Sequence, residues 1–420
     1  MSLVSAGLTE HRLVAAALAF VASGCAGSIA PPPEAARTSG AESFALSPPS
    51  ARPASTVVPS VTALVVDPSQ LSVTTAGWRT DFTRAGVDLA QFRAGGPPKD
   101  GIPSIDDPVF ESIETSRTWL DDRAPVILLE IGGLAKAYPL AILMWHEIVN
   151  DTIADLPVVV TFCPLCNTAL VFERRLDGTV YDFGTTGNLR FSDLVMYDRR
   201  TESWWQQATG EAVVGELTGA KLRFLPAQIV GLADFERAYP NGQVLSRETG
   251  YERDYLTNPY VGYDTIDQNP FLFDGVLDGR LAPKERVVTV GEGTDAMAFP
   301  YSELREVGVA EAVLDGRPIV VFWEPGAVSP LDEALISSGD DVGGTGVFIA
   351  ELGGQRLTFR RDGGEDGRIR DSETASTWSV TGLAVDGSLR GNQLEAVVHG
   401  DHFWFAWAAF VPETTIWTAP

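Results

Sequence analysis

The chain has 420 residues, of which 45% are hydrophobic, and its formal net charge is −25. The length fits two modest domains or one large duplicated one. The acidic balance excludes a nucleic-acid-binding protein, because neutralising phosphates requires a basic face. Since there are only three cysteines, a disulfide-rich scaffold is also excluded.

The N-terminus has the pattern of an export signal. Basic residues precede an apolar run over residues 13–21, and the small residues 22–24 then lead to Cys25. This order is typical of a bacterial lipoprotein signal, which is cleaved before the cysteine that receives the lipid. We therefore predict a signal peptide over residues 1–24 and a membrane-anchored, extracytoplasmic protein lipidated at Cys25. An ordinary secretory signal is the alternative.

Residues 25–60 are rich in Ala, Pro and Ser and show no hydrophobic period. Such a composition is typical of a semi-extended linker, so we predict a tether between the lipid anchor and the folded part. From residue 61 to residue 420 the composition is that of a globular domain.

The first predicted elements of this domain are a hairpin and a helix. Residues 126–131 and 134–138 are apolar runs on either side of a Gly-Gly turn, which predicts two paired strands. Pro139 is then suited to open a helix over residues 140–149. Apolar side chains lie nearly all round this helix, so we expect it to be buried. His146 within it would then need a hydrogen-bonding partner.

A Cys-Pro-Leu-Cys turn between two apolar runs is the most informative stretch of the chain. Pro164 fixes its own φ and Asn167 tolerates the left-handed conformation, so both suit a tight reversal. The turn brings Cys163 and Cys166 within reach of one bond or one metal ion. The sequence after it reads as a strand, over residues 168–172. A thioredoxin fold is therefore not expected, since there the cysteine pair caps a helix whose dipole lowers the thiol pKa.

The remaining pattern contains more strands, one further helix and long loops. Aromatic-rich strands are predicted between residues 188 and 205, and a helix over residues 232–239. Residues 247–264 are dense in Tyr, Arg, Asp and Pro and are predicted to form a long ordered loop. His399 and His402 have a spacing that could hold a metal on a turn, but we interpret them as solvated loop histidines because no other ligands are near in sequence.

The second half of the domain repeats the first. Residues 135–139 match residues 296–300, and residues 157–164 match residues 318–325 at the same offset, without a gap. A third match aligns Asp198, Thr201, Ser203 and Trp205 with Asp371, Thr374, Ser376 and Trp378. We therefore predict a β-rich α+β fold with short helices, built as a pseudo-symmetric pair of β subdomains from two diverged internal repeats, over about residues 125–245 and 285–415.

The two copies differ in their chemistry. At the positions of both thiols and of His146, the second copy has Glu324, Ala327 and Val307. Sulfur is therefore not required merely to build the hairpin, and the comparison predicts one active centre per chain.

Several stretches together resemble a known prokaryotic family, catalogued as domain of unknown function 3179. The similarity covers about residues 75–415 and is carried by residues 95–103, 145–151, 161–169, 193–199, 248–255 and 403–407. Some members of that family carry selenocysteine at the position matching Cys163. The resemblance therefore implies redox chemistry at this position, and it agrees with export, which is common in the family.

These observations lead first to an exported thiol oxidoreductase, of thiol-disulfide or peroxide type. Cys163 would be the attacking thiolate and Cys166 the resolving thiol. His146 would act as base or as a cationic neighbour that lowers the thiol pKa. The substrate would be a small molecule or a redox partner protein that the sequence does not identify.

Two other functions remain open. Cys163, Cys166 and His146 could bind copper or zinc, because three protein ligands leave an open position and thiolates with imidazole also suit Cu(I). The chain could alternatively be a non-enzymatic surface lipoprotein that binds a ligand or partner.

Overall fold

The structure is a computed structural model that describes residues 64–363 and 367–419. The predicted signal peptide (1–24), the lipidated Cys25 and the tether (25–60) lie outside the described residues. None of the helices in the described ranges has the length and apolar character needed to cross a membrane.

Strands dominate the described part of the chain. In its first half they are β1 (Leu64–Val65), β2 (Arg84–Ala85), β3 (Phe92–Ala94), β4 (Phe110–Ser112), β5 (Pro125–Ile131), β6 (Leu134–Pro139), β7 (Ile148–Ile153), β8 (Leu156–Cys163), β9 (Thr168–Glu173), β10 (Arg175–Leu176), β11 (Thr179–Val180), β12 (Phe183–Arg190), β13 (Asp193–Asp198), β14 (Trp204–Gln206), β15 (Glu211–Val214), β16 (Arg223–Leu225), β17 (Gln228–Gly231) and β18 (Gln243–Leu245).

The second half continues with β19 (Arg286–Val290), β20 (Met297–Pro300), β21 (Val309–Leu314), β22 (Arg317–Glu324), β23 (Gly344–Ile349), β24 (Glu351–Leu352), β25 (Gln355–Arg356), β26 (Phe359–Arg361), β27 (Ile369–Asp371), β28 (Thr377–Trp378), β29 (Ala384–Asp386), β30 (His399–Phe403) and β31 (Thr415–Ile416). The described helices are α1 (Ile113–Ser116), α2 (Leu140–His146), α3 (Leu232–Ala238), α4 (Tyr301–Val307) and α5 (Trp404–Phe410). The β-rich prediction is confirmed.

Two large sheets carry most of the strands. An eight-stranded sheet has the order β31-β20-β19-β30-β9-β8-β7, with β16 beside β9, and a seven-stranded sheet has the order β1-β2-β15-β14-β13-β12-β3. A five-stranded sheet runs β17-β5-β6-β18-β4, and smaller sheets join β21-β22-β23 and β26-β27-β28-β29. The strands β8 and β9 around the Cys-Pro-Leu-Cys turn therefore lie inside the largest sheet, not at its edge.

Most of the predicted elements are confirmed. The hairpin is β5 and β6, the strands around the turn are β8 and β9, and the later helix is α3. Between β18 and β19 the chain forms no strand or helix from residue 246 to residue 285, in agreement with the predicted long loop.

The first predicted helix is shorter than expected. It begins at Leu140 as predicted but ends at His146, and residue 149 already belongs to β7. Glu147 has a φ of 58°, so the chain reverses there. The β-branched Ile148 then pairs with Thr161 of β8. Strand pairing thus outcompeted the helical pattern, because β-branched side chains favour a pleated strand over a helix.

The interpretation of His399 and His402 as solvated loop residues is wrong. Both are buried in β30, which pairs with β19 along its length and with β9 at Asp401 and Ala169. A Cβ at Gly400 would lie 2.3 Å from Nε2 of His402, so the absence of a side chain there makes room for the imidazole. Neighbouring strands on both sides, which are distant in sequence, explain the burial.

The main apolar core lies where the eight-stranded sheet meets β13 and β14 of the seven-stranded sheet. Phe162 and Phe172 enter it from β8 and β9, and Met196 and Trp205 enter from β13 and β14. Both thiols belong to this cluster. The two thiols are therefore held by packing between two sheets.

Candidate metal centre

The thiols sit on a tight turn between β8 and β9. Cys163 ends β8 opposite Thr168, the first residue of β9. The amide of Cys166 donates to the carbonyl of Cys163 at 3.2 Å, and Asn167 has a φ of 48°. The carbonyl of Cys166 accepts from the amide of Phe403 in β30 at 2.8 Å. The predicted reversal is confirmed, and the second half of the chain anchors it.

Both thiols are free in the structure and lie close together. The exposed fraction of Cys163 is 1% and that of Cys166 is 0%. Their Sγ atoms and a carboxylate oxygen of Asp193 all lie within 4.8 Å of one another. Within residues 64–363 and 367–419, this is the group of three donor atoms that could hold a metal ion.

Asp193 is a candidate ligand that sequence reasoning missed. It is the first residue of β13 and is fully buried, and the left-handed Phe191 and Ser192 turn the chain just before it. Its Oδ2 accepts hydrogen bonds from the side-chain amide of Gln206 and from the amide of Ala208, the latter at 2.9 Å. The Cys166 thiol also hydrogen-bonds to this carboxylate. The sequence signals for it were an acidic residue that opens a mostly apolar strand and its place in one of the stretches that resemble the family.

Burial and like charges raise the pKa values of the acids at this site. Burial raises the pKa of the Cys163 thiol, and the carboxylates of Asp193 and Glu147 raise it further. Burial likewise raises the pKa of the Cys166 thiol well above its usual value. Burial also raises the pKa of Asp193 to about 7 and that of Glu147 to about 8. The charged neighbours that shift the thiol pKa values are acidic, whereas a nucleophilic cysteine is activated by cationic neighbours. A bound cation would stabilise the ionised ligands.

His146 is positioned by other partners. Its Nδ1 lies 2.7 Å from the carbonyl oxygen of Pro103, which can only accept, so Nδ1 carries the proton. Its Nε2, also at 2.7 Å, then accepts from the hydroxyl of Tyr255. Burial lowers the pKa of His146 to about 4, so the ring is neutral at pH 7. His146 is not in the group of three donors, and its role as base or ligand stays a prediction.

The long loop between β18 and β19 covers the thiols. The Cys163 thiol points to the carbonyl of Ser192 at 3.7 Å, and the hydroxyl of Ser192 donates to the carbonyl of Phe271 in that loop. Burial raises the pKa values of Tyr260 and Tyr263 in the loop, and the nearby thiols contribute to both shifts. The donor group is therefore enclosed on the loop side by aromatic residues.

The donor set has the chemistry of a metal site. Two thiolates and one carboxylate are ligands that zinc accepts at a centre with an open fourth position. The two thiolates alone would also suit Cu(I). The stretches that resembled a known family in the sequence include the turn, the first residues of β13 and the His146 segment.

Comparison with known proteins supports that resemblance. Residues 99–414 match the model of a family described as Protein of unknown function (DUF3179). No curated protein matches the chain, and no solved structure matches it. Because the match covers well over half of the sequence, the chain belongs to the DUF3179 family.

Proposed function

We propose that the protein binds a zinc or copper ion through Cys163, Cys166 and Asp193. The observation that carries this proposal is the set of three buried donor atoms within 4.8 Å of one another. A buried carboxylate is costly unless its charge is compensated, and Asp193 is fully buried beside the two thiols. Asp193 thus takes the place that the sequence had suggested for His146.

The proposed roles of the residues follow from their chemistry. The thiols of Cys163 and Cys166 would bind as thiolates and lose their protons on metal binding. Asp193 would contribute one oxygen, since Oδ2 is already held by two hydrogen bonds. Three protein ligands leave a position for a small molecule, which is the arrangement of catalytic or transfer sites.

Metal analysis of the purified protein tests the proposal. We expect about one zinc or copper ion per chain in the wild type, and loss of that ion in a Cys163→Ser, Cys166→Ser double variant. Asp193→Asn should weaken binding, because it removes the charged oxygen donor. His146→Gln is the matched control and should retain the metal. Absence of metal from the wild type after incubation with Zn²⁺ or Cu⁺ would refute the proposal.

A thiol redox centre is the second candidate. It is favoured by the closeness of the two thiols, whose sulfur atoms lie within 4.8 Å on one turn. The selenocysteine that some members of the resembled family carry at the position matching Cys163 also favours it. Alkylation with a maleimide at graded pH distinguishes the two. A Cys163 that reacts only above about pH 8.5, the reference thiol pKa, would speak against an activated nucleophile. We expect this outcome, because the pKa of Cys163 is raised.

A surface lipoprotein without enzymatic activity would instead keep its function when both thiols are replaced.

We further propose that the mature protein is a lipoprotein anchored outside the cytoplasm through Cys25. The support is the sequence pattern before that cysteine. In a bacterial host, Cys25→Ala should abolish incorporation of labelled fatty acid and release the protein from the membrane fraction. Unchanged labelling of the variant would exclude Cys25 as the anchor.

We also propose that the domain arose by duplication. In each half a hairpin is followed by a seven-residue helix and a three-stranded antiparallel unit: β5-β6, α2 and β7-β8-β9, then β19-β20, α4 and β21-β22-β23. Each hairpin then receives a parallel strand from later in its half, β18 beside β6 and β31 beside β20. The recurrence of this order supports common descent of the two halves.

A repeated hydrogen-bond network gives further support to duplication. The carboxylate of Asp198 accepts from the hydroxyl of Thr201 at 2.8 Å and from the indole of Trp205 at 3.1 Å. In the second half the corresponding bonds, both of 2.9 Å, are made by Asp371, Thr374 and Trp378. Such a network is scaffold rather than chemistry, because both halves have it and only one half has thiols.

A further inference from the structure

A buried glutamine connects the proposed metal ligand to a cation. Gln206 ends β14 and is fully buried. Its Nε2 donates to Oδ2 of Asp193, and its Oε1 accepts from Nη1 of Arg190 at 3.3 Å. The charged partners on both sides fix which end of the amide faces which group, because a carboxylate accepts and a guanidinium only donates.

The chain of contacts continues beyond Arg190. Nε of Arg190 donates to Oε1 of Gln91 at 2.8 Å, and its guanidinium lies 4.7 Å from the centre of the Phe191 ring. Arg190 is therefore held on both sides, and it in turn holds the amide of Gln206. Since Gln206 and the amide of Ala208 both bind Oδ2, the orientation of the Asp193 carboxylate beside the two thiols is fixed.

We infer that Gln206 is the residue that determines which metal the site prefers, by positioning Asp193 as a third, oxygen ligand beside the two thiols. This inference rests on the proposed metal-binding function. A set of two sulfurs and one oxygen suits a borderline divalent ion such as zinc, whereas Cu(I) is satisfied by thiolates alone. Gln206 therefore favours a zinc-class divalent ion over Cu(I). It acts through Asp193 and does not itself touch the metal.

The adjacent Gln207 offers a matched control. It is also fully buried, but its Nε2 donates to Oγ1 of Thr161 at 2.9 Å and to the carbonyl of Thr168 at 3.1 Å, not to Asp193. Gln206→Met and Gln207→Met each remove a buried amide and keep a side chain of similar length. Both lose hydrogen bonds, so a general loss of stability would affect both alike.

The experiment measures the affinities of the purified full chain for Zn²⁺ and Cu⁺ by competition with chelators, together with the absorption spectrum of the Co²⁺ form. Loss of an outer partner of a metal ligand typically weakens binding by about 10–100-fold. We expect Gln206→Met to lose Zn²⁺ affinity in this range, to change Cu⁺ affinity by less than about 3-fold, and to alter the Co²⁺ spectrum. Gln207 makes no hydrogen bond to Asp193, so we expect Gln207→Met to keep the wild-type preference between Zn²⁺ and Cu⁺ and the wild-type spectrum of the Co²⁺ form.

The possible outcomes separate the two claims. Failure of the wild type to bind any of the three ions removes the proposed function and this inference with it. If the wild type binds, an unchanged Zn²⁺ affinity in Gln206→Met, or equal losses for Zn²⁺ and Cu⁺, overturns the role of Gln206 and leaves the metal site standing. Should Gln206→Met not fold, Gln206→Leu replaces it, because it also is buried and apolar and has no group that can donate to Asp193. Wild-type Zn²⁺ preference in that variant would equally overturn the inference.

Discussion

At the scale of single residues, the buried imidazole of His146 couples stability to pH. Its folded-state pKa of about 4 lies below the usual 6.5, so below pH 6.5 the unfolded chain binds a proton that the native chain does not. Its contribution to stability is therefore complete above pH 6.5 and is lost as the pH falls towards 4. Between pH 7 and pH 5 we expect a loss of about 2 kcal/mol from this group.

Urea unfolding of the wild type and of His146→Gln at both pH values measures this effect. Asp193 and Glu147, whose pKa values are raised, change stability in the opposite direction, but they do so in both proteins. The free energy of unfolding of the wild type minus that of the variant should therefore fall between pH 7 and pH 5. An equal difference at the two pH values would contradict a depressed pKa of His146.

The same scale shows what the sequence could and could not reveal about the site. Cys163 and Cys166 were found because a Cys-x-x-Cys turn is local, and its geometry follows from Pro164 and Asn167. Asp193 was not found, because it reaches the thiols only through the packing of β13 against β8 and β9. His146 was chosen for its chemistry, yet its partners Pro103 and Tyr255 are distant in sequence.

At the scale of elements, the end of α2 is the place where the sequence misled. The helical pattern continued past His146, but Glu147 adopts a φ of 58°, while the corresponding helix α4 ends at Gly308 with a φ of 72°. A left-handed φ is free of strain for glycine only. The helix end is therefore fixed by pairing of the following strands, which the local pattern does not contain.

We expect Glu147→Gly to stabilise the protein by about 1 kcal/mol. The change relieves the left-handed backbone and removes a buried carboxyl, and these gains exceed the added flexibility of the unfolded chain. Urea unfolding at pH 7 measures the effect. Gly308→Ala is the control at the corresponding helix end. It should destabilise the protein, because the added Cβ would lie 2.3 Å from Cδ of Arg361. A destabilised Glu147→Gly would mean that this carboxyl makes a stabilising interaction which outweighs the strain.

At the scale of the whole molecule, the two halves are joined by strand pairing at one place and by packing of strands at another. β30 of the second half pairs with β9 of the first, and it holds the cysteine turn through the amide of Phe403. β17 of the first half, which pairs with β5, packs against β23 of the second half, since a Cβ at Gly344 would lie 3.1 Å from the carbonyl of Ile229. The local alternation of apolar residues predicted the strands themselves. The contacts between the two halves could not be predicted in this way, because they join distant parts of the chain.

These contacts between the two halves predict that neither half is stable alone. Expressed by itself, the segment of residues 64–245 would expose the start of β9, where β30 pairs at Ala169, and the apolar surface that β30 and α5 cover. An unpaired edge of this kind favours aggregation, and β16 protects only the last residues of β9. We expect this fragment to be insoluble or to lack cooperative unfolding, whereas the full chain unfolds in one transition. Circular dichroism on heating measures the unfolding of the soluble fragment and of the full chain. A soluble fragment with a sharp transition would show that the first half and its thiol turn form an independent domain, because β30 would then be dispensable for the turn.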